Sequence, residues 1–170
     1  VLAAVAMREE EIPEPEQAGS LVLVLDRLQD PGNMGTIIRT ADWFGIRHIY
    51  CSQDTVEVYN PKVVQSTMGS ICRVAVHYVE LSSFLANIKG RRTIYGTFIN
   101  GKSVYDLEPN LPAAVIIGNE SQGISGDLLN QIDEKITIPR VNTGAESLNA
   151  SVAAGIICAE FARKSVVVGH

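Results

Sequence analysis

Asn33, Arg39, Glu120, Ser147 and Asn149 are the side chains whose types and settings could do chemistry. Asn33 follows the turn-forming Pro31-Gly32 and reads as the N-cap of a helix. Ser147 reads as the cap of a later helix, with Asn149 in its first turn. Neutral hydrogen-bonding groups at helix starts are well suited to hold phosphate or sugar oxygens. Glu120 comes straight after an apolar run, where a carboxylate is costly unless it is paired. Arg39 sits about 200° around its helix from the apolar Ile37, and helical side chains lean toward the N-terminus. Its guanidinium is therefore expected to point back toward Asn33 and to offer Glu120 a partner. Each segment alone also fits ordinary structure: a surface arginine beside a cap, a solvated turn glutamate, a capping pair.

The residue inventory excludes other chemistries. His48, His77 and His170 are scattered, and none lies in a loop with these five. Cys51, Cys72 and Cys158 fall in apolar segments and read as buried, reduced thiols. No Cys/His spacing resembles a metal site, so no metal is expected. G-x-G-x-x-G is absent, which argues against a dinucleotide-binding turn, and no P-loop lysine follows a glycine cluster. Ser147 lacks the G-x-S-x-G setting of a hydrolase nucleophile.

Apolar strands and amphipathic helices alternate behind these residues. LVLVL (21–25) is a continuous apolar run, as in a strand buried on both faces. Further strands are expected at 47–51, 72–76, 93–97, 113–117 and 135–138, and helices at 34–45, 61–69, 81–89, 124–131 and 147–164. In the first helix Ile37, Ile38, Ala41 and Phe44 recur at helical spacing. The last is dense in small residues, with Leu148, Val152, Ile156, Ile157 and Phe161 on more than one face. Such alternation predicts an α/β domain with a largely parallel sheet. Ligands of such sheets bind outside the carboxyl ends of the strands. There the sequence places DRLQDPGNMG, TFING, GNESQG and PRVNTGAESLN, all rich in Gly, Asn, Ser or charge.

The 170 residues suit one domain, and 46% hydrophobic with 19% charged residues is a globular composition. No apolar run is long enough to span a bilayer, so a soluble cytoplasmic protein without membrane partners is expected. The net charge of −5 argues mildly against nucleic acid, although it can hide a local patch. Residues 9–19, EEEIPEPEQAG, read as an acidic, proline-bearing linker, and the chain opens on Val1. We expect 1–19 to be a linker from an absent N-terminal domain and 20–170 to be the folded unit.

Together, DPGNMGTIIRTADWFG, IIGNESQGIS and ITIPRVNTGAESLNASVAAGI resemble, in order and separation, the three signature motifs of the SpoU (TrmH) family of RNA 2′-O-ribose methyltransferases in the SPOUT superfamily. The resemblance spans about residues 20–164. It implies a parallel sheet flanked by helices whose C-terminal part is tied in a deep trefoil knot, and a homodimer. It also implies S-adenosylmethionine held by backbone groups around Thr97, Gly118, Ile138 and Leu148, without a metal. The matching catalytic set is Asn33, Arg39, Glu120, Ser147 and Asn149. Arg39 matches the family's favoured proton acceptor. Because arginine normally stays protonated, its expected part is to orient the 2′-hydroxyl and offset its developing charge, with Glu120 as the other possible base. The missing N-terminal domain, by the same likeness RNA-binding, points to ribosomal rather than transfer RNA. A non-catalytic RNA-binding module on the same fold is the alternative.

Overall fold

The computed structural model describes residues 12–14, 17–142, 144 and 146–167, with side chains as far as Lys164. Most of the expected linker (1–11, 15 and 16) and the end of the C-terminal tail lie outside the described residues.

Among the described residues six strands form one sheet: β1 (Leu21–Leu25), β2 (His48–Cys51), β3 (Ala75–Tyr78), β4 (Thr93–Ser103), β5 (Ala113–Ile117) and β6 (Glu134–Thr137). Their order is β3-β2-β1-β5-β4-β6, and every pairing is parallel. Among the described residues four α-helices cover it: α1 (Pro31–Trp43), α2 (Pro61–Thr67), α3 (Leu81–Ile88) and α4 (Ala150–Val167). Parallel strands need crossovers, and the crossovers put helices on both faces. The unbroken apolar run of β1 follows from this. Leu23 and Leu25 enter the core shared with α1, α2 and α4, while Val22 and Val24 enter the opposite core with α3.

The structure moves several expected boundaries. Residues 72–76 are not one strand: a 3-10 turn occupies Ser70–Cys72 and β3 begins at Ala75. Cys72 is consequently exposed, whereas Cys51 and Cys158 are buried and free, with burial raising both thiol pKa values. The expected helix at 124–131 is a 3-10 helix, Gly126–Gln131. β4 runs past the expected TFING loop because its pairing to β6 resumes at Lys102 after a register shift from Thr97. Among the described residues no helix is long and apolar enough to cross a membrane.

Candidate functional site

β1, β5, β4 and β6 end side by side, so the loops that follow them leave from one edge of the sheet. The carboxyl ends of β4, β5 and β6, closed over by the start of α4, enclose a cleft of about 940 Å³. Thr97, Gly118, Ile138 and Leu148 all line it, as do Glu120 and Ser147. Its walls are largely aliphatic, with Ile99, Ile136, Ile138 and Ile157. Gly118 is required by close approach: a Cβ there would lie 2.4 Å from the carbonyl carbon of Gly123.

At the mouth of the cleft three side chains form a directed chain. Asn149 Nδ2 donates to Asn33 Oδ1 at 2.9 Å, and Asn33 Nδ2 donates to Glu120 Oε1 at 2.8 Å. Both capping expectations shift by a few residues here. Asp30, not Asn33, caps α1: its carboxylate accepts from the Asn33 amide at 2.7 Å, with Pro31 as the first helical residue. Asn149, not Ser147, caps α4: its Oδ1 accepts from the amides of Ser151 and Val152. Capping consumes the Asn149 oxygen and so aims its NH2 at Asn33. The Asn33 oxygen is then taken, which leaves its NH2 for Glu120. An ionised carboxylate only accepts, so the amide orientations and the charge agree.

Arg39 stands apart. It lies six residues beyond Asn33, about 9 Å along α1, is exposed, and does not line the cleft. The expected Arg39–Glu120 pair does not form; Asn33 takes that place, and among the described residues Arg39 has no hydrogen-bond or ion-pair partner. Ser147 is exposed at the cleft and likewise has none among the described residues. No metal-binding group of His, Cys, Asp and Glu occurs among the described residues.

Sequence reasoning passed over Asp26 and Arg27, which follow β1 directly. Asp26 is 2% exposed and accepts from both the amide and the hydroxyl of Ser125. Arg27 adopts φ 56°, a left-handed conformation that costs a non-glycine residue about 1 to 3 kcal/mol. Its guanidinium donates to Asp26 at 3.3 Å and to Gln122 Oε1 at 2.8 Å. A charged pair directly after an apolar strand was the available signal.

The SpoU rRNA methylase family model matches residues 20–159. Among curated relatives, a 23S rRNA (guanosine(2553)-2′-O)-methyltransferase, RlmP of Bacillus subtilis, is 36% identical over 138 residues, 80% of this chain and 55% of the relative. Two solved structures superpose closely. A chain described as a TrmH-family RNA methyltransferase, from Porphyromonas gingivalis, has a TM-score of 0.82 at 41% identity, covering 89% of this chain and 62% of its own. The SpoU methyltransferase AviRb of Streptomyces viridochromogenes, in complex with AdoMet, has a TM-score of 0.80 at 30% identity, covering 90% and 63%. The chain thus spans little more than half the length of the curated relative.

Proposed function

The chain belongs to the SpoU methylase family, and from that premise we propose that it transfers a methyl group from S-adenosylmethionine to a ribose 2′-hydroxyl in structured RNA, ribosomal rather than transfer RNA. The observation that carries the reading is the Asn149–Asn33–Glu120 chain at the mouth of the cleft. It joins the loops after β1, β5 and β6 where a nucleotide would meet a bound cofactor. The likeness to a 23S rRNA enzyme supports the ribosomal preference.

The cleft fits the cofactor. Its aliphatic walls suit an adenosine, backbone groups at Thr97, Gly118 and Ile138 are at hand for polar contacts, and Glu120 and Glu146 favour a cation at the border. When bound, S-adenosylmethionine supplies a methyl group already activated as a sulfonium substituent. The protein must then position the 2′-hydroxyl, take its proton and favour the developing alkoxide. Glu120, held by Asn33, is an anionic acceptor fixed at that place. Ser147 has its hydroxyl available for a phosphate or ribose. Arg39, exposed on α1 and without a hydrogen-bond or ion-pair partner among the described residues, is assigned to hold and orient the target nucleotide and to offset its charge.

The family's trefoil knot in the C-terminal part, a homodimer, an N-terminal RNA-binding domain ahead of the linker 1–19 and a cytoplasmic location belong to the same proposal. Mapping 2′-O-methyl nucleotides in RNA from cells with and without the full-length gene tests the activity. One methylated position should be lost with the gene. Purified full-length protein, dialysed against chelator, should restore it with added S-adenosylmethionine. RNA binding without methyl transfer would instead identify a non-catalytic RNA-binding module.

A further inference from the structure

We propose that Asp26 is a positioning residue for Glu120, acting through a clasp that locks the loop after β5 onto the end of β1. The proposal rests on the reading of the cleft as a methyl-transfer site.

The argument starts from the strand register. β1 and β5 pair through Leu25 and Ile117, and Asp26 extends the ladder by donating its amide to the Ile117 carbonyl at 2.9 Å. Asp26 and Gly118 therefore leave the sheet as neighbours. From Gly118 the chain makes a small loop and returns at Ser125. The amides of Asn119 and Gly123 donate to each other's carbonyls at 3.1 and 2.9 Å, closing its base. Glu120 stands on that loop.

Asp26 and Arg27 hold the loop at three points. The Asp26 carboxylate accepts the Ser125 amide at 2.6 Å and the Ser125 hydroxyl at 2.7 Å to Oδ2 and 2.9 Å to Oδ1. Asn119 Nδ2 donates to the Arg27 carbonyl at 2.8 Å, while Asn119 Oδ1 accepts the amides of Ser121 and Gln122. Arg27 Nη1 grips Gln122 Oε1. The left-handed backbone at Arg27 is what turns its carbonyl to Asn119 while its amide donates to Ser52 Oγ at 2.9 Å. Strain and a buried charge together are costly ways to fasten two strand ends, since an apolar contact of similar volume would hold them as well. What an apolar contact does not supply is direction. Asp26 fixes the loop's orientation by hydrogen bonds from defined angles, and the Glu120 carboxylate is thereby aimed at Asn33.

Asp26→Asn tests this without changing side-chain volume. Its NH2 must face the Ser125 amide or Arg27, both donors, so one hold is lost. The full-length protein is assayed with S-adenosylmethionine and total RNA from cells lacking the gene. Turnover should fall by about tenfold to a hundredfold, the scale of a displacement of about 1 Å at a reacting group. In a Glu120→Gln background the same substitution should cost less than about twofold, because residues that act as a unit are not additive. Ser125→Thr, which keeps the hydroxyl, should stay near wild type where Ser125→Ala does not. Amide exchange across 119–123 should quicken in Asp26→Asn while β1 and β5 stay protected. Normal turnover in Asp26→Asn, or an equal cost with and without Glu120, would overturn the proposal. If the wild type itself transfers no methyl group, the reading of the cleft fails instead. Amide exchange then decides the clasp alone, and unchanged exchange would refute it.

Discussion

Asn33 is the residue on which the mouth of the site turns, because its two amide atoms serve different loops. Asn33→Asp keeps the size but replaces the NH2 that donates to Glu120 with a second acceptor, so turnover should collapse. Asn33→Ala should lose activity while costing the fold only about 0.5 to 1.5 kcal/mol, since its partners Glu120 and Asn149 are exposed and can turn to water. Denaturant melts beside activity assays separate the two effects. Arg39 should behave differently. It is exposed and has no hydrogen-bond or ion-pair partner among the described residues, so Arg39→Ala should change stability by no more than about 0.5 kcal/mol. If Arg39 orients the 2′-hydroxyl, Arg39→Lys should fail nearly as badly as Ala, because lysine keeps the charge but loses the planar fork. Unchanged cofactor affinity with lost turnover is the expected pattern in both. Near-normal methylation by Arg39→Ala would leave Glu120 as the acceptor to test.

At the scale of elements, α1 is fixed by its cap and by its crossing with α2. Gly35 lies at that crossing: a Cβ there would meet Ser66 Cβ at 2.4 Å and the Val63 carbonyl oxygen at 2.7 Å. Gly35→Ala gains helix propensity but must push α2 away, and the clash should dominate at about 1 to 3 kcal/mol of lost stability, read as a lower denaturation midpoint. The helix body was legible in the sequence, since Ile37, Ile38 and Ala41 are wholly buried on the expected stripe. Its cap was misplaced although a signal existed: a proline at the first helical position makes the residue before it, Asp30, the cap. The offset at α4 had no such signal, because Ser147 and Asn149 are both good caps and the contact that selects Asn149 comes from Asn33 on another element. For the same reason the loops of the site could be found from sequence but not their partners. Alternation of strands and helices says that loops gather at one sheet edge; it does not say that β1 lies beside β5, which is what brings residues 33 and 120 together. The Asp26–Ser125 clasp was hidden in the same way.

For the whole molecule, the proposed homodimer has a candidate surface on the second face of α4. Ala154, Ile157, Cys158 and Phe161 are buried against the chain's own core. Val152, Ile156 and Ala159 recur at helical spacing on the opposite side of the helix, beside Gly155. Val152 is 50% exposed and Leu148, just ahead of the helix, 49%. An apolar stripe on the side of a helix away from its core face is where the proposed homodimer would form. Small residues such as Gly155 and Ala159 let another helix approach closely. A homodimer through this stripe, next to Leu148 on the cleft, would also place the start of α4 and its cap Asn149 under the influence of the interface. Val152→Lys separates this from a role in folding. The side chain is half exposed in the single chain, so the substitution should leave helix content unchanged and cost at most about 0.5 kcal/mol of monomer stability. Across a two-fold interface it would bring two lysines together in an apolar setting, which costs several kcal/mol when charges are buried unpaired. Sedimentation at micromolar concentration should therefore show a dimer for the wild type and a folded monomer for Val152→Lys. A wild-type monomer, or a Val152→Lys dimer as tight as wild type, would remove this face of α4 from the assembly.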